Sequence, residues 1–137
     1  MKLGFIGCGN MAAAMMGGIL KKGLCAPEDI RAADVSQAAL ERAQREYGIS
    51  SASGSRELAG WAEVLVLSVK PQFYESVIGE IREAVSPEQL VITIAPGKTL
   101  SWLTGQFQKP VRLVRAMPNT PALAGEGMAA LCVGENV

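Results

Sequence analysis

Three small residues near the start of the chain have the spacing of a phosphate-binding loop. The segment GCGNMA contains Gly7, Gly9 and Ala12, which form the pattern GxGxxA. In this pattern the first glycine allows a sharp turn, the second lets backbone N–H groups approach a pyrophosphate, and the third small residue lets a helix pack closely on a strand. The phosphates then lie at a helix N-terminus, where free N–H groups favour negative charge. The spacing therefore predicts a dinucleotide site.

The same stretch has a second interpretation, because no charged residue stands between Lys2 and Lys21. An export signal has a basic start followed by an unbroken apolar core of about 7 to 15 residues. Here Gly4, Gly7 and Gly9 interrupt the apolar run, and a membrane-spanning helix would need about 20 mostly apolar residues. We therefore expect a strand, a tight turn and a helix instead.

An acidic residue follows the second predicted strand. Asp34 stands 25 residues after Gly9, and in dinucleotide-binding folds an acid about 20 residues beyond the glycine loop hydrogen-bonds the ribose 2′-hydroxyl. The alternative is a solvated residue before the next helix. The strand, turn and helix that precede Asp34 favour the ribose role.

Strands and helices alternate along the rest of the chain. Apolar runs at 30–33, 64–69, 90–95 and 111–116 are typical of strands that are buried on both faces. An edge strand is expected at 128–133. The segments that predict helices are 10–22, 37–47, 56–61, 73–84 and 100–107. The alternation favours one α/β domain over residues 1–137, a Rossmann-type, doubly wound, mostly parallel sheet with helices on both faces.

The composition restricts the kinds of ligand and partner. Thirteen basic and thirteen acidic residues cancel without forming like-charge runs, so we expect neither nucleic acid nor a membrane as partner. The chain has no histidine, and its three cysteines are widely spaced, so we expect no metal site and no disulfide framework. A reduced, cytoplasmic setting fits this composition best.

Three segments together resemble one enzyme family. GFIGCGNMAAAM, VLVLSVKPQ and RLVRAMPNTPALAGEGMAAL, at these spacings, are similar to the N-terminal coenzyme domain of pyrroline-5-carboxylate reductases, over essentially the whole chain. The resemblance implies reduction of 1-pyrroline-5-carboxylate to L-proline, the last step of proline biosynthesis, with a nicotinamide coenzyme that is commonly NADPH. It also implies a C-terminal helical domain, absent from this chain, that builds a homodimer or higher oligomer and most of the imino-acid site.

The resemblance also implies which residues contact the ligands. The pyrophosphate would lie on Ile6, Gly7, Cys8, Gly9, Asn10 and Met11. The adenosine ribose or its phosphate would lie near Asp34 and Ser36, with Ser55 as a further contact. Ser68, Val69, Lys70 and Pro71 would line the middle of the coenzyme, and Ala95 and Gly97 would approach the nicotinamide. Met117, Pro118, Asn119 and Thr120 would form the floor beneath the ring, beside the substrate. No catalytic residue is assigned in this chain.

Two positions depart from the family pattern. Members that use NADPH often have an arginine after the second strand to pair with the 2′-phosphate, but Val35 stands there. Asp34 would repel that phosphate, whereas Ser36 could donate to it, so both NADP and NAD stay open. Pro96, between Ala95 and Gly97, removes one backbone donor near the nicotinamide.

Two other functions share this domain plan. A β-hydroxyacid or 6-phosphogluconate-type dehydrogenase would have the same first domain and would take a catalytic lysine from the helical domain that follows. A coenzyme-binding regulatory module would bind the dinucleotide without turnover. For a reductase, the coenzyme carries the hydride and the protein orients it.

Overall fold

The chain folds around one mixed sheet of seven strands. The structure, a computed structural model, describes residues 1–118 and 129–133, and for 117, 118 and 129–133 it describes the backbone alone. The strands are β1 (Leu3–Ile6), β2 (Ile30–Ala33), β3 (Ser50–Ser51), β4 (Val64–Leu67), β5 (Leu90–Thr93), β6 (Arg112–Pro118) and β7 (Ala129–Val133). The helices are α1 (Asn10–Lys21), α2 (Gln37–Tyr47), α3 (Ser55–Trp61), α4 (Tyr74–Ile81) and α5 (Leu100–Phe107).

The strand order is β3-β2-β1-β4-β5-β6-β7, with β7 antiparallel to β6 and every other pair parallel. Successive strands are added on one side of β1 up to β3 and then on its other side from β4 onward. The order therefore reverses between β1 and β4, the point at which open α/β sheets bind their ligands. The predicted fold class is confirmed, including the edge strand.

Helices cover both faces of the sheet. Because successive side chains of a strand point to opposite faces, Phe5 and Val66 pack with Met16 of α1 in one cluster, whereas Leu65 and Leu67 pack with residues of α3, α4 and α5 in the other. Within the described residues, no helix is both long and apolar enough to cross a bilayer.

Some element ends differ from the prediction. The helix expected at 73–84 is a short 3₁₀ turn (Pro71–Phe73) followed by α4, which ends at Ile81. Its last turn tightens, because Ala84 N–H and Val85 N–H both donate to the carbonyl of Ile81. The strand expected at 64–69 ends at Leu67.

The amide of Gln89 joins α3 to β5 at the amino-terminal edge of the sheet. Gln89 is buried, and its side-chain nitrogen donates to the carbonyls of Ala59 and Ala62, while its oxygen accepts the N–H of Ser86. These contacts satisfy carbonyls at the end of α3 that have no partner within the helix.

Replacing Gln89 with alanine should therefore destabilise the protein. We expect Gln89→Ala to lower the free energy of unfolding by about 1 to 3 kcal/mol, because buried carbonyls lose their donors. Urea denaturation measures the change. Glu88→Ala, at an exposed neighbour, is the control and should change it by less than about 0.5 kcal/mol. Equal midpoints for the two variants would contradict this role of Gln89.

Candidate functional site

Gly7 brings the exit of β1 against the exit of β4. Its φ is +103°, and an added Cβ would lie 2.7 Å from the main-chain oxygen of Ser68. Its N–H donates to the carbonyl of Ala33 over 2.8 Å. A residue with a side chain would have to adopt a positive φ that side chains disfavour, and its Cβ would collide with the backbone of Ser68. The tight turn predicted for Gly7 therefore has a second cause, the close passage of a neighbouring strand.

Gly9 opens α1 and leaves space in front of it. Gly9 is the N-cap residue, no side chain caps the helix, and its first turn contains no acid. The first bond to a helix carbonyl runs from Ala13 N–H to Gly9 over 2.9 Å, so the N–H groups of residues 10–12 have no partner within the helix. A Cβ at Gly9 would meet nothing within 4 Å. This is the geometry of an anion site at a helix N-terminus.

The carboxylate of Asp34 holds the glycine loop to the end of β2. Cys8 N–H donates to Oδ2 over 2.7 Å, and Ser36 N–H donates to Oδ1 over 2.8 Å. Each oxygen keeps a second lone pair. Asp34 is therefore a support for the loop, a role that the sequence analysis did not foresee, and it can still accept a ribose hydroxyl.

The thiol of Cys8 is not a nucleophile in this site. Burial, with a further contribution from the negative charge of Asp34, raises the pKa of the Cys8 thiol to about 12, although Arg42 opposes the shift. The thiol stays protonated at neutral pH, and thiolate is the reactive form. Cys8 is a buried filler of the loop.

The hydroxyl of Ser68 supports the loop from the side of β4. Its Oγ donates to the carbonyls of Gly7, over 2.8 Å, and Ile6, over 3.0 Å. Ser68 N–H also donates to the carbonyl of Ile6 over 2.8 Å, which continues the β1–β4 ladder past the last strand residue. Ser68 thus contributes rigidity to the loop as well as cavity surface.

A cavity of about 410 Å³ lies over this reversal point of the sheet. Eight residues predicted from sequence to contact coenzyme line it: Ile6, Gly7, Gly9, Asp34, Ser55, Ser68, Val69 and Lys70. The other predicted contacts lie outside its lining: Cys8, Asn10, Met11, Ser36, Pro71, Ala95 and Gly97. Met117 and Pro118 are the last residues of β6, while Asn119 and Thr120 fall outside the described residues.

Sequence reasoning missed one wall of the cavity. Phe73, Ser76, Val77 and Glu80 line it, and their spacing of three, four and seven residues is that of one helix face. The remaining lining residues not predicted as contacts are Ala33 and Val35. The helical spacing was a usable signal, but it pointed equally to a face packed in the core.

A second cavity of similar volume lies at the opposite edge. It measures about 400 Å³ and is lined by residues around the amino end of β5, including Glu63 and Gln89. The glycine loop and the free end of α1 are absent from that lining. Since parallel α/β sheets bind ligands beyond the carboxyl ends of their strands, the cavity over Gly9 is the candidate site.

This arrangement places the chain among the Rossmann-type α/β domains. More narrowly, it belongs to the family described as NADP oxidoreductase coenzyme F420-dependent, whose model matches residues 2–97. The matched segment runs from β1 through the turn after β5 and includes the glycine loop, Asp34 and Ser68. Membership of a family of NADP oxidoreductases indicates a nicotinamide coenzyme.

The resemblance to pyrroline-5-carboxylate reductases is also confirmed. The chain is 36% identical to the enzyme so named from Methanosarcina acetivorans, with 98% of this chain and 50% of that protein covered. It is 38% identical to the Pseudomonas aeruginosa enzyme, with 99% of this chain and 50% of that protein covered. The chain spans about half the length of the curated relatives that it matches.

Solved structures agree with this family. A pyrroline-5-carboxylate reductase from Coxiella burnetii superposes with a TM-score of 0.94 at 34% identity, covering 99% of this chain and 50% of that one. The Plasmodium falciparum enzyme with NADP bound superposes with a TM-score of 0.89 at 31% identity, covering 100% of this chain and 49% of that one. A 3-hydroxyisobutyrate dehydrogenase from Mycobacterium tuberculosis, at 18% identity and a TM-score of 0.77, shares the fold alone.

The two loop glycines should respond differently to the same substitution. We expect Gly7→Ala to lower the free energy of unfolding by about 1 to 3 kcal/mol, because the added Cβ is strained and meets backbone. Gly9→Ala, where the Cβ meets open space, should cost less than about 1 kcal/mol. Thermal and urea unfolding of the two variants give the comparison. A Gly9 variant as unstable as the Gly7 variant would disprove the assignment of open space to Gly9.

Proposed function

We propose that this chain is the coenzyme-binding part of a reductase that converts 1-pyrroline-5-carboxylate to L-proline with NADH or NADPH. The observation that carries the proposal is the open space over Gly9 at the free end of α1, because a Cβ would fill the place that a pyrophosphate needs. The family membership and the similarity to reductases so named support the same function.

The coenzyme would extend along the carboxyl edge of the sheet. Its pyrophosphate would accept the N–H groups at the start of α1, and Asp34 would accept a hydroxyl of the adenosine ribose. Val35 is fully exposed and the side chain of Phe73 is about half exposed, and both line the cavity. These apolar surfaces would cover the adenine. The nicotinamide would reach towards Ala95 and Gly97.

The chain's contribution to the reaction is to bind and orient. When bound, the reduced nicotinamide supplies a hydride to the imine carbon of the substrate. A protonated imine already carries the proton of the product amine, so hydride addition needs no further donor in this chain. The absence of histidine and the neutral, buried thiol of Cys8 are compatible with that division of labour.

The remaining parts of the reductase are proposed from the similarity. We expect residues 1–137 to act as the coenzyme domain, and a helical domain to supply the carboxylate-binding groups and the contacts of a homodimer or higher oligomer. Asn119 and Thr120, with Met117 and Pro118, are proposed to lie beside the substrate. A cytoplasmic location fits an enzyme of amino-acid synthesis.

The charges around the cavity favour NADH over NADPH. Lys70 is the one basic residue among those that line the cavity, and it follows β4. Val35 follows β2, two strands away, or about 10 Å. A 2′-phosphate beside Val35 would therefore lie near the carboxylate of Asp34, whereas Arg42, whose charge reaches Cys8, lies outside the cavity lining.

A bulky side chain at Gly9 should block coenzyme binding. We expect Gly9→Val to raise the dissociation constant for NADH and NADPH by about 100-fold or more, because two methyl groups would occupy the pyrophosphate position. Losing the hydrogen bonds between the pyrophosphate and the backbone N–H groups would cost roughly 3 kcal/mol of binding free energy. Nicotinamide fluorescence measures binding, and circular dichroism checks the fold. Gly60→Val, in α3 with equally open surroundings, is the matched control. Normal affinity in a folded Gly9→Val protein would refute the proposed site.

An arginine after β2 should change the coenzyme preference. Val35 is fully exposed, so Val35→Arg leaves the packing unchanged and offers a bidentate donor to a 2′-phosphate. We expect the affinity ratio of NADPH to NADH to rise by about tenfold or more, equivalent to roughly 1.4 kcal/mol. Val35→Gln, which adds length without charge, should leave the ratio nearly unchanged. If both variants keep the wild-type ratio, the ribose does not lie beside Val35.

A further inference from the structure

Tyr74, the first residue of α4, carries a buried hydroxyl at the carboxyl ends of β4 and β5. Its relative exposure is 0%. The hydroxyl accepts the N–H of Ile94 over 3.2 Å and donates to the carbonyl of Leu67. These two groups belong to different chain segments: Leu67 ends β4, and Ile94 directly follows β5. One side-chain oxygen thus joins the exits of two neighbouring strands.

The regular ladder would join these two backbone groups directly. The register pairs Val64 with Leu90, and Leu90 N–H donates to the carbonyl of Glu63 over 3.1 Å. Parallel ladders repeat this bond every second residue, which assigns the N–H of Ile94 to the carbonyl of Leu67. The Tyr74 hydroxyl stands between this pair. Within the described residues no direct hydrogen bond joins this pair, and the Tyr74 hydroxyl bridges the two groups instead.

The ladder on the other side of β4 does close. Ser68 N–H donates directly to the carbonyl of Ile6 over 2.8 Å. The interruption of direct bonding at the exit of β4 is therefore on the β5 side. Burial raises the pKa of the Tyr74 hydroxyl to about 12, against the opposing effect of the backbone N–H groups of Ile94 and Ala95. The group stays protonated at neutral pH and keeps its donor role.

One of the two segments that the hydroxyl joins would line the middle of the coenzyme, and the other would approach its nicotinamide. Ser68, Val69 and Lys70 leave β4 and line the cavity, while Ala95 follows Ile94 and leads into the turn at Gly97, whose φ is +79°. We propose that Tyr74 is a positioning residue, whose hydroxyl sets the gap between the β4 and β5 exits and so places the Ala95–Gly97 turn for the nicotinamide. This inference rests on the proposed function.

Tyr74→Phe tests the role, because it removes the hydroxyl and keeps the ring that fills the core. We expect the dissociation constant for NADH to rise about tenfold, and that for ADP, which lacks the nicotinamide half, to change less than about twofold. Isothermal titration calorimetry measures both ligands. Tyr47→Phe, the same chemical change between α1 and α2, is the control and should leave both constants unchanged.

The outcomes separate this inference from the function on which it rests. A purely structural role of Tyr74 would weaken NADH and ADP equally, and either that result or unchanged NADH affinity overturns the inference. Wild-type protein that binds neither NADH nor NADPH contradicts the proposed function itself, and the inference with it.

A second measurement uses the wild-type protein and does not depend on the folding of the variant. If Tyr74 joins the nicotinamide-binding segments, saturating NADH should slow hydrogen exchange at the Ile94 amide by about tenfold or more, because opening that bond requires the two exits to separate. Saturating ADP should change this rate little. Equal protection by the two ligands, or protection by neither, overturns the proposal.

Discussion

The candidate site depends on position 7 being a glycine, which has no side chain. Because no Cβ stands in the way, the exit of β1 passes against the backbone of Ser68 closely enough for the Ser68 hydroxyl to reach the carbonyls of Ile6 and Gly7. On the other side, the Gly7 N–H reaches Ala33 at the end of β2. Three strand ends become one rigid unit, and this unit holds Gly9 and the start of α1 over the reversal point of the sheet.

The electrostatics of the site follow from how Asp34 is used. A carboxylate beside an anion-binding helix end would repel phosphates if its charge were unopposed. Here both oxygens accept main-chain N–H groups, from Cys8 and Ser36, which offset part of that charge. The N–H groups of the first turn of α1 stay available, and no acid occupies that turn. The same residue can therefore support the loop and face a ribose without closing the phosphate position.

The predictable features were those that depend on neighbours in sequence. The alternating strands and helices and the tight turn at Gly7 follow from local patterns, and the structure confirms them. The side-chain contacts of Ser68 and Asp34 span 61 and 26 residues, so no local pattern revealed them. The wall formed by α4 was missed because the spacing of Phe73 and Val77 is equally that of a buried face. Asn119 and Thr120 fall outside the described residues and stay predictions.

The two sides of β4 are built in opposite ways. Towards β1 the ladder continues past Leu67 by a direct bond, drawn tight by Gly7. Towards β5 the equivalent pair is separated by the hydroxyl of Tyr74. A phosphate needs backbone donors held in close array, whereas a ring with a substrate against it needs a wider gap between chain segments. In the proposed function, the closed ladder beside Gly9 would serve the pyrophosphate and the opened one before Ala95 would serve the nicotinamide, on the two opposite sides of β4.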